Sequence, residues 1–210
     1  MVLIDKYQLY RKKGKKLNDL IIKRQINREL LTEAAKKLGI PLKNNTFIFN
    51  SEDEMSVLMD FAIYECAKTG KNCIALYKED IDTNDNIEKE LLEGMLLSYT
   101  SLFKITSIIE KENKIMLADV LNKKEDISFI DFGLSMTGTP GMLIFTRIIP
   151  LKDFSMTSGI SFAFPENSEE NLKNNYEILK NKINSDSDSL KRFAAFYKMS
   201  LNEGLETSYI

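Results

Sequence analysis

The chain has 210 residues, 43% of them hydrophobic and 29% charged, a composition that builds a folded core and lies outside the disordered regime. Its formal charge is −2 and its pI about 5.5, which opposes long-range attraction to a polyanion. It contains no histidine, so a Ser-His-Asp triad, a Cys-His pair, an H-E-x-x-H zinc site and the kinase H-R-D loop are all excluded.

The first predicted element is a helix over residues 15–38. Leu17, Leu20, Ile21, Leu31, Ala34, Ala35 and Leu38 form one apolar stripe, and Gly39-Ile40-Pro41 stops it. Ile22, Ile26 and Leu30 form a second stripe on the other side, which needs a partner: another segment of the chain, or a second copy in a homodimer. Ser51-Glu52-Asp53-Glu54 reads as a capping box that opens a helix through Met55, Leu58, Met59, Ala62, Ile63 and Cys66 to Gly70. Cys73 to Tyr77 reads as a short helix, Ile81 to Asn86 as a polar break, and Ile87 to Ser98 as an amphipathic helix.

After residue 100 the chain turns to β-branched and aromatic runs. Five strands are predicted over Leu102–Ile109, Lys114–Leu121, Ile127–Phe132, Met142–Ile149 and Met156–Phe164. The connections at residues 110–113 and 122–126 are of hairpin length, so the first three strands should form an antiparallel meander, and so short a sheet tends to curl or close. Past Pro165, Ser168 caps a helix bearing Leu172, Tyr176, Leu179 and Ile183. The run 185–189 then opens a last helix with Leu190, Phe193, Ala194, Tyr197 and Leu201. The fold class is therefore α+β: a helical region over 1–98, a barrel-like five-stranded antiparallel unit over 99–165, and two C-terminal helices over 166–210 packed on the rest as one unit.

No run approaches the roughly 20 apolar residues that span a bilayer, and Asp5 and Lys6 stand where a signal peptide has its apolar core, so a cytoplasmic protein without a membrane partner is expected. Met1 to Leu9 offers no wide apolar face for a membrane surface. Cys66 and Cys73 read as ordinary thiols, and neither a metal nor a cofactor is expected.

Residues 1–40 hold eleven Lys or Arg against four Asp or Glu, a surplus of seven, so the rest of a chain summing to −2 carries −9. The basic segment, with Arg11, Lys12, Lys13, Lys15, Lys16, Lys23, Arg24 and Arg28, suits either the acidic body of its own protein or the phosphates of a nucleic acid. Of these, Lys12, Lys13, Lys15, Lys16 and Arg24 are the candidate binding residues. Asp131-Phe132-Gly133 matches a kinase tripeptide without the rest of the kinase pattern, and is read as a strand end. The small-residue loop that follows, 135–141, is either a plain connection or a place where Thr137, Gly138, Thr139 and Gly141 let backbone amides approach an anion. Asp119, Asp131 and Asp153 with Arg147 are charged groups seated in or beside apolar strands, where an ion pair is more often structural than an acid/base or metal site; Asp119, Asp131 and Arg147 are the candidates for a catalytic role. Ser208-Tyr209-Ile210 fits the loose pattern of a β-augmentation ligand.

Residues 101–105, 117–121, 133–135, 141–143, Arg147-Ile148-Ile149-Pro150-Leu151 and Ser158-Gly159 resemble a small β domain that recurs in uncharacterised prokaryotic proteins, often those carrying a SEC-C metal-binding motif. The resemblance covers about a third of the chain, residues 98–164. It implies an antiparallel β unit following helices and no transferable activity. The cysteine-rich SEC-C segment has no counterpart here, so no zinc follows from it. The leading expectation is a non-enzymatic binding or scaffold protein, set against a nucleic-acid-associated protein and a histidine-independent enzyme built on Asp119, Asp131 and Arg147.

Overall fold

The structure is a computed structural model and describes residues 3–68, 70–123 and 127–205. Ser208-Tyr209-Ile210 and part of the 122–126 connection lie outside the described residues.

Helix α1 runs Leu3–Gln25 and α2 runs Arg28–Leu38. The single helix expected over 15–38 is thus divided. Asn27 is extended, and its side chain accepts a hydrogen bond from the Leu30 amide, so it caps a new helix rather than continuing the old one. The stop at Gly39 is as expected, with φ +87° and its amide on the Ala35 carbonyl. The break also divides the second stripe. Leu30 turns inward with Ala34 and Leu38, Ile22 and Ile26 pack partly buried on the core, and Leu20 stays exposed. Leu30 is thus covered by the chain itself, while Ile22 and Ile26 stay partly exposed.

The buried stripe of α1 begins earlier than expected, at Tyr7 and Tyr10, and continues at Leu17 and Ile21. Gly14 sits between them at the spacing of that same stripe, in the helix interior, where glycine costs about 1 kcal/mol relative to alanine. A hairpin not foreseen follows α2: β1 Leu42–Lys43 pairs with β2 Thr46–Phe47 across Asn44 and Asn45, both at positive φ, the backbone a two-residue turn of this kind requires.

Helix α3 spans Asp53–Tyr64. Glu54 reaches back to the Asn50 amide and side chain rather than closing a box on Ser51, and the helix ends before Gly70. The intervening residues make hairpin β3 Ala67–Lys68 with β4 Lys71–Asn72. Asn72 then caps α4, Cys73–Asp80, and Asp85 caps α5, Asn86–Leu97.

The five predicted strands are present as β5 Tyr99–Ile109, β6 Lys114–Asp119, β7 Ile127–Ile130, β8 Leu143–Pro150 and β9 Ser155–Phe164. They form one antiparallel sheet in the order β7-β6-β5-β8-β9, whose first three strands are the expected meander. The sheet curls so that β7 packs against β9. Phe103, Ile105, Ile115, Leu117, Phe129, Ile144, Ile148 and Ala163, drawn from all five strands, fill the concave side as one cluster. The convex side carries Leu102, Leu143, Phe145, Ile149, Phe162 and Phe164, which join the helices in the main core.

Between β7 and β8, residues Phe132–Thr137 form helix α6, where a loose loop was expected. Its cause is Asp131, whose carboxylate accepts from the Leu134 amide at 3.0 Å. After β9 come α7 Glu169–Lys180 and α8 Asp188–Glu203. Ser187 caps α8, whereas Ser168 makes no side-chain cap to α7. Phe145 stacks on Phe196 of α8 with centroids 4.4 Å apart and on Phe162 at 5.9 Å, which ties the last helix to the sheet. Residues from 1–98, 99–165 and 166–210 all belong to that main core.

Candidate functional site: a methionine-walled cleft

A cleft of 440 Å³ lies between α1, α3, α5 and β9. Two glycines shape it. At Gly14 the stripe of α1 lacks a side chain, and an added Cβ would only touch Met156 Cε at 3.9 Å. At Gly159 β9 bulges: Ser158, Gly159 and Ile160 stand opposite Arg147 alone, because the register passes from Thr146↔Ser161 to Ile148↔Thr157. Gly159 holds φ +108°, beside the Arg11 guanidinium. Arg11 Nη1 donates to the Thr157 carbonyl at 2.9 Å, fixing α1 to the bulge.

The walls are largely apolar and include Met55, Met59, Met95 and Met156, flexible thioethers that adapt to irregular shapes. The inner end is polar. Asp60 is 7% exposed and pairs with Arg147, whose Nε stands 3.6 Å from its Oδ2, beyond a close hydrogen bond, and the Ser158 side chain lies beside the same carboxyl. Asn18 Oδ1 and Ser158 Oγ are buried and likewise make no close hydrogen bond, and all three residues line the cleft.

Behind Asp60 lies a buried ionic group. Arg147, 3% exposed, donates to Glu65 and stacks its guanidinium 4.0 Å over the Tyr64 ring. One guanidinium thus stands between two carboxylates. Burial pushes the Asp60 carboxyl above its ordinary range, the Arg147 charge opposes that, and the Glu65 charge adds to it. Burial also raises the Tyr64 phenol. Beyond Tyr64 a second hollow of 500 Å³ is lined by Glu65 and Arg147, so the ionic group forms the partition between two cavities.

The sequence candidates fall in different places. Among the described residues no hydrogen bond or ion pair joins any two of Asp119, Asp131 and Arg147. Asp119 takes hydrogen bonds from Ser101, from the Leu121 and Asn122 amides and from the Asn122 side chain, as a turn-closing carboxylate. Asp131 caps α6 and accepts from Thr157 Oγ1 at 3.2 Å, which brings it to the strand that edges the cleft. Only Arg147 belongs to the ionic group. The amides of Gly138 and Gly141 donate to the Leu134 and Ile105 carbonyls, Thr137 Oγ1 donates to the Gly133 carbonyl, and Thr139 lends its carbonyl to Met142. An anion would therefore find the Gly138 and Gly141 amides already engaged, and an added Cβ at Gly141 would strike the Glu166 carboxylate.

In the basic segment, Lys13 pairs with Asp85 and Lys6 with Asp153, while Lys12, Lys15, Lys16, Lys23 and Arg24 are exposed. Lys15 also lines the cleft mouth. Both thiols are buried; Cys73 Sγ donates to the Ala62 carbonyl at 3.4 Å, and burial raises the Cys66 thiol to about 12, which keeps it un-ionised at neutral pH. Among the described residues no helix is long and apolar enough to cross a membrane.

Sequence reasoning missed Asp60, Glu65, Asn18, Ser158 and the roles of Gly14 and Gly159. Their signals were present: a lone carboxylate inside Leu58-Met59-Asp60-Phe61-Ala62-Ile63, a glycine on a helical stripe, and a glycine within a strand pattern.

The fold and site thus define an α+β protein with a curled antiparallel sheet, a helical layer and a cleft between them. Over residues 1–210 the chain matches a family of unknown function, DUF7986, and it belongs to that family. No curated protein and no solved structure matches it.

Proposed function

We propose that this is a non-enzymatic binding protein of the cytoplasm, whose ligand is a small, mostly apolar molecule held in the cleft between α1, α3 and β9. The observation that carries the reading is Asp60, a buried carboxylate lining a cavity of 440 Å³, a volume in the range of small-molecule sites, whose Oδ2 makes no close hydrogen bond and stands 3.6 Å from Arg147 Nε. A buried carboxylate oxygen without a donor costs stability, and a bound group that supplies the donor recovers it. The methionine walls suit a ligand chosen by shape and apolar contact. The likeness of residues 98–164 to SEC-C-associated β domains fits a scaffold that displays such a site, without bringing an activity to it.

The test is equilibrium binding of the uncharged apolar fluorophore N-phenyl-1-naphthylamine to the folded protein and to Gly14→Phe, whose ring would occupy the cleft. Native binding lost in Gly14→Phe at undiminished thermal stability supports the reading. Equal binding by both proteins overturns it.

A second reading rests on the exposure of Lys12, Lys15, Lys16, Lys23 and Arg24 along α1: association with nucleic acid by phosphate contacts. It predicts binding of labelled DNA or RNA that weakens steeply with salt and vanishes on charge reversal of Lys12, Lys15 and Lys16. Binding unchanged by that reversal refutes it.

A further inference from the structure

We infer that the cleft receives an ammonium group carrying an apolar tail, with the ammonium seated on Asp60, Asn18 and Ser158. The inference deepens the proposed function and rests on it.

The cleft lining includes three polar atoms that make no close hydrogen bond, Asp60 Oδ2, Asn18 Oδ1 and Ser158 Oγ, with Ser158 beside the Asp60 carboxyl and Arg147 Nε 3.6 Å from its Oδ2. The first two only accept, and the hydroxyl can accept as well. Their complement is a group with several N–H donors and no need of an acceptor. An ammonium has three donors and none to receive, whereas a carboxylate would set oxygen against oxygen.

The charges point the same way. Asp60 and Glu65 share the single guanidinium of Arg147, which gives its hydrogen bond to Glu65 and stands 3.6 Å from Asp60. One negative charge is left in a region where Asp60 is 7% and Arg147 3% exposed. The other charged groups lining the cleft are Arg11, Lys15 and Asp53. Arg11 donates to the Thr157 carbonyl and keeps its positive charge, and Lys15 and Asp53 have opposite signs, so the negative charge left at Asp60 is local to that carboxylate. A cation at Asp60 completes the balance that Arg147 leaves unfinished. From that point outward Met59, Met95, Met156, Ile22 and Ile149 offer apolar surface to a tail.

The experiment is calorimetric titration of the purified full chain at neutral pH with hexylamine, hexanol and hexanoate, which share a tail and differ in head group. Hexylamine should bind about tenfold more tightly than hexanol, with hexanoate weakest. Asp60→Asn should erase that preference. Asn18→Asp, which adds a carboxylate at the same seat, should tighten hexylamine and leave hexanol unchanged, so the inference stays testable should Asp60→Asn not fold. Equal binding of hexylamine and hexanol, or a preference for hexanoate, overturns the ammonium seat while the cleft remains a binding site. No binding of any of the three overturns the inference too, and if the fluorophore also fails to bind, the proposed function falls with it.

Discussion

Replacing Arg147 by methionine, a side chain of similar length without charge, isolates the energetics of the buried ionic group. The substitution leaves Glu65 without its hydrogen-bond donor and Asp60 without the one cation near it, both 7% exposed. Removing one partner of a buried ion pair costs about 3–5 kcal/mol, because the remaining charge stays in the interior without compensation. For a chain of this size each kcal/mol moves the melting temperature by about 2–4 °C, so Arg147→Met should melt about 6–20 °C lower than the native protein. Differential scanning calorimetry at neutral pH measures it. The deficit should narrow as pH falls, since protonating the stranded Asp60 carboxyl, already raised by burial, removes part of the penalty. Adding Glu65→Gln to Arg147→Met should restore part of the loss at neutral pH. A loss below about 1 kcal/mol, or a deficit independent of pH, would show that water reaches the group and would refute the reasoning.

Three further outcomes follow from individual positions. Gly14→Ala should stabilise the protein by about 1 kcal/mol in chemical denaturation, since the added Cβ meets only Met156 Cε at 3.9 Å and the helix gains propensity; a destabilisation would mean that the helix tolerates no side chain there. Gly159→Ala should cost about 1–3 kcal/mol by the same assay, because φ +108° strains any residue with a Cβ, and no loss would mean that the bulge relaxes. Asp60→Asn should change the pH profile of stability. The folded carboxyl sits above its unfolded range, so its contribution is fully present at acid pH and is lost as pH rises through the folded value. The variant should therefore gain on the native protein from acid to neutral pH, and parallel profiles would show that Asp60 does not titrate differently on folding.

Much of the sheet was legible in the sequence, because its pattern is local: β-branched alternation, hairpin-length connections and two inner faces mark five strands and their meander without knowledge of the helices. The division of α1 from α2 was not, since the periodicity of Leu17, Ile21, Ala34 and Leu38 runs smoothly through the break and only the Asn27 cap interrupts it. That one missed cap produced the expectation of a free Ile22–Ile26–Leu30 stripe. Helix α6 was hidden for a similar reason: Gly, Ser and Thr are poor helix formers, and the capping by Asp131 outweighs them over six residues. The site was the least legible part. Arg147 stood out as a charge in an apolar strand, but its partners Asp60 and Glu65 lie on and just after a helix more than eighty residues away, and nothing short of the tertiary fold brings them together.

Methyl NMR of the protein labelled at its methionines reports whether the cleft takes a ligand. Met55, Met59, Met95 and Met156 line the cleft, while Met116, Met136, Met142 and Met199 lie elsewhere. On titration with hexylamine the first four methyl signals should shift together in a saturable way and the other four should hold still. Unmoved cleft methyls, or a shift confined to exposed Met136, would contradict a ligand site in the cleft.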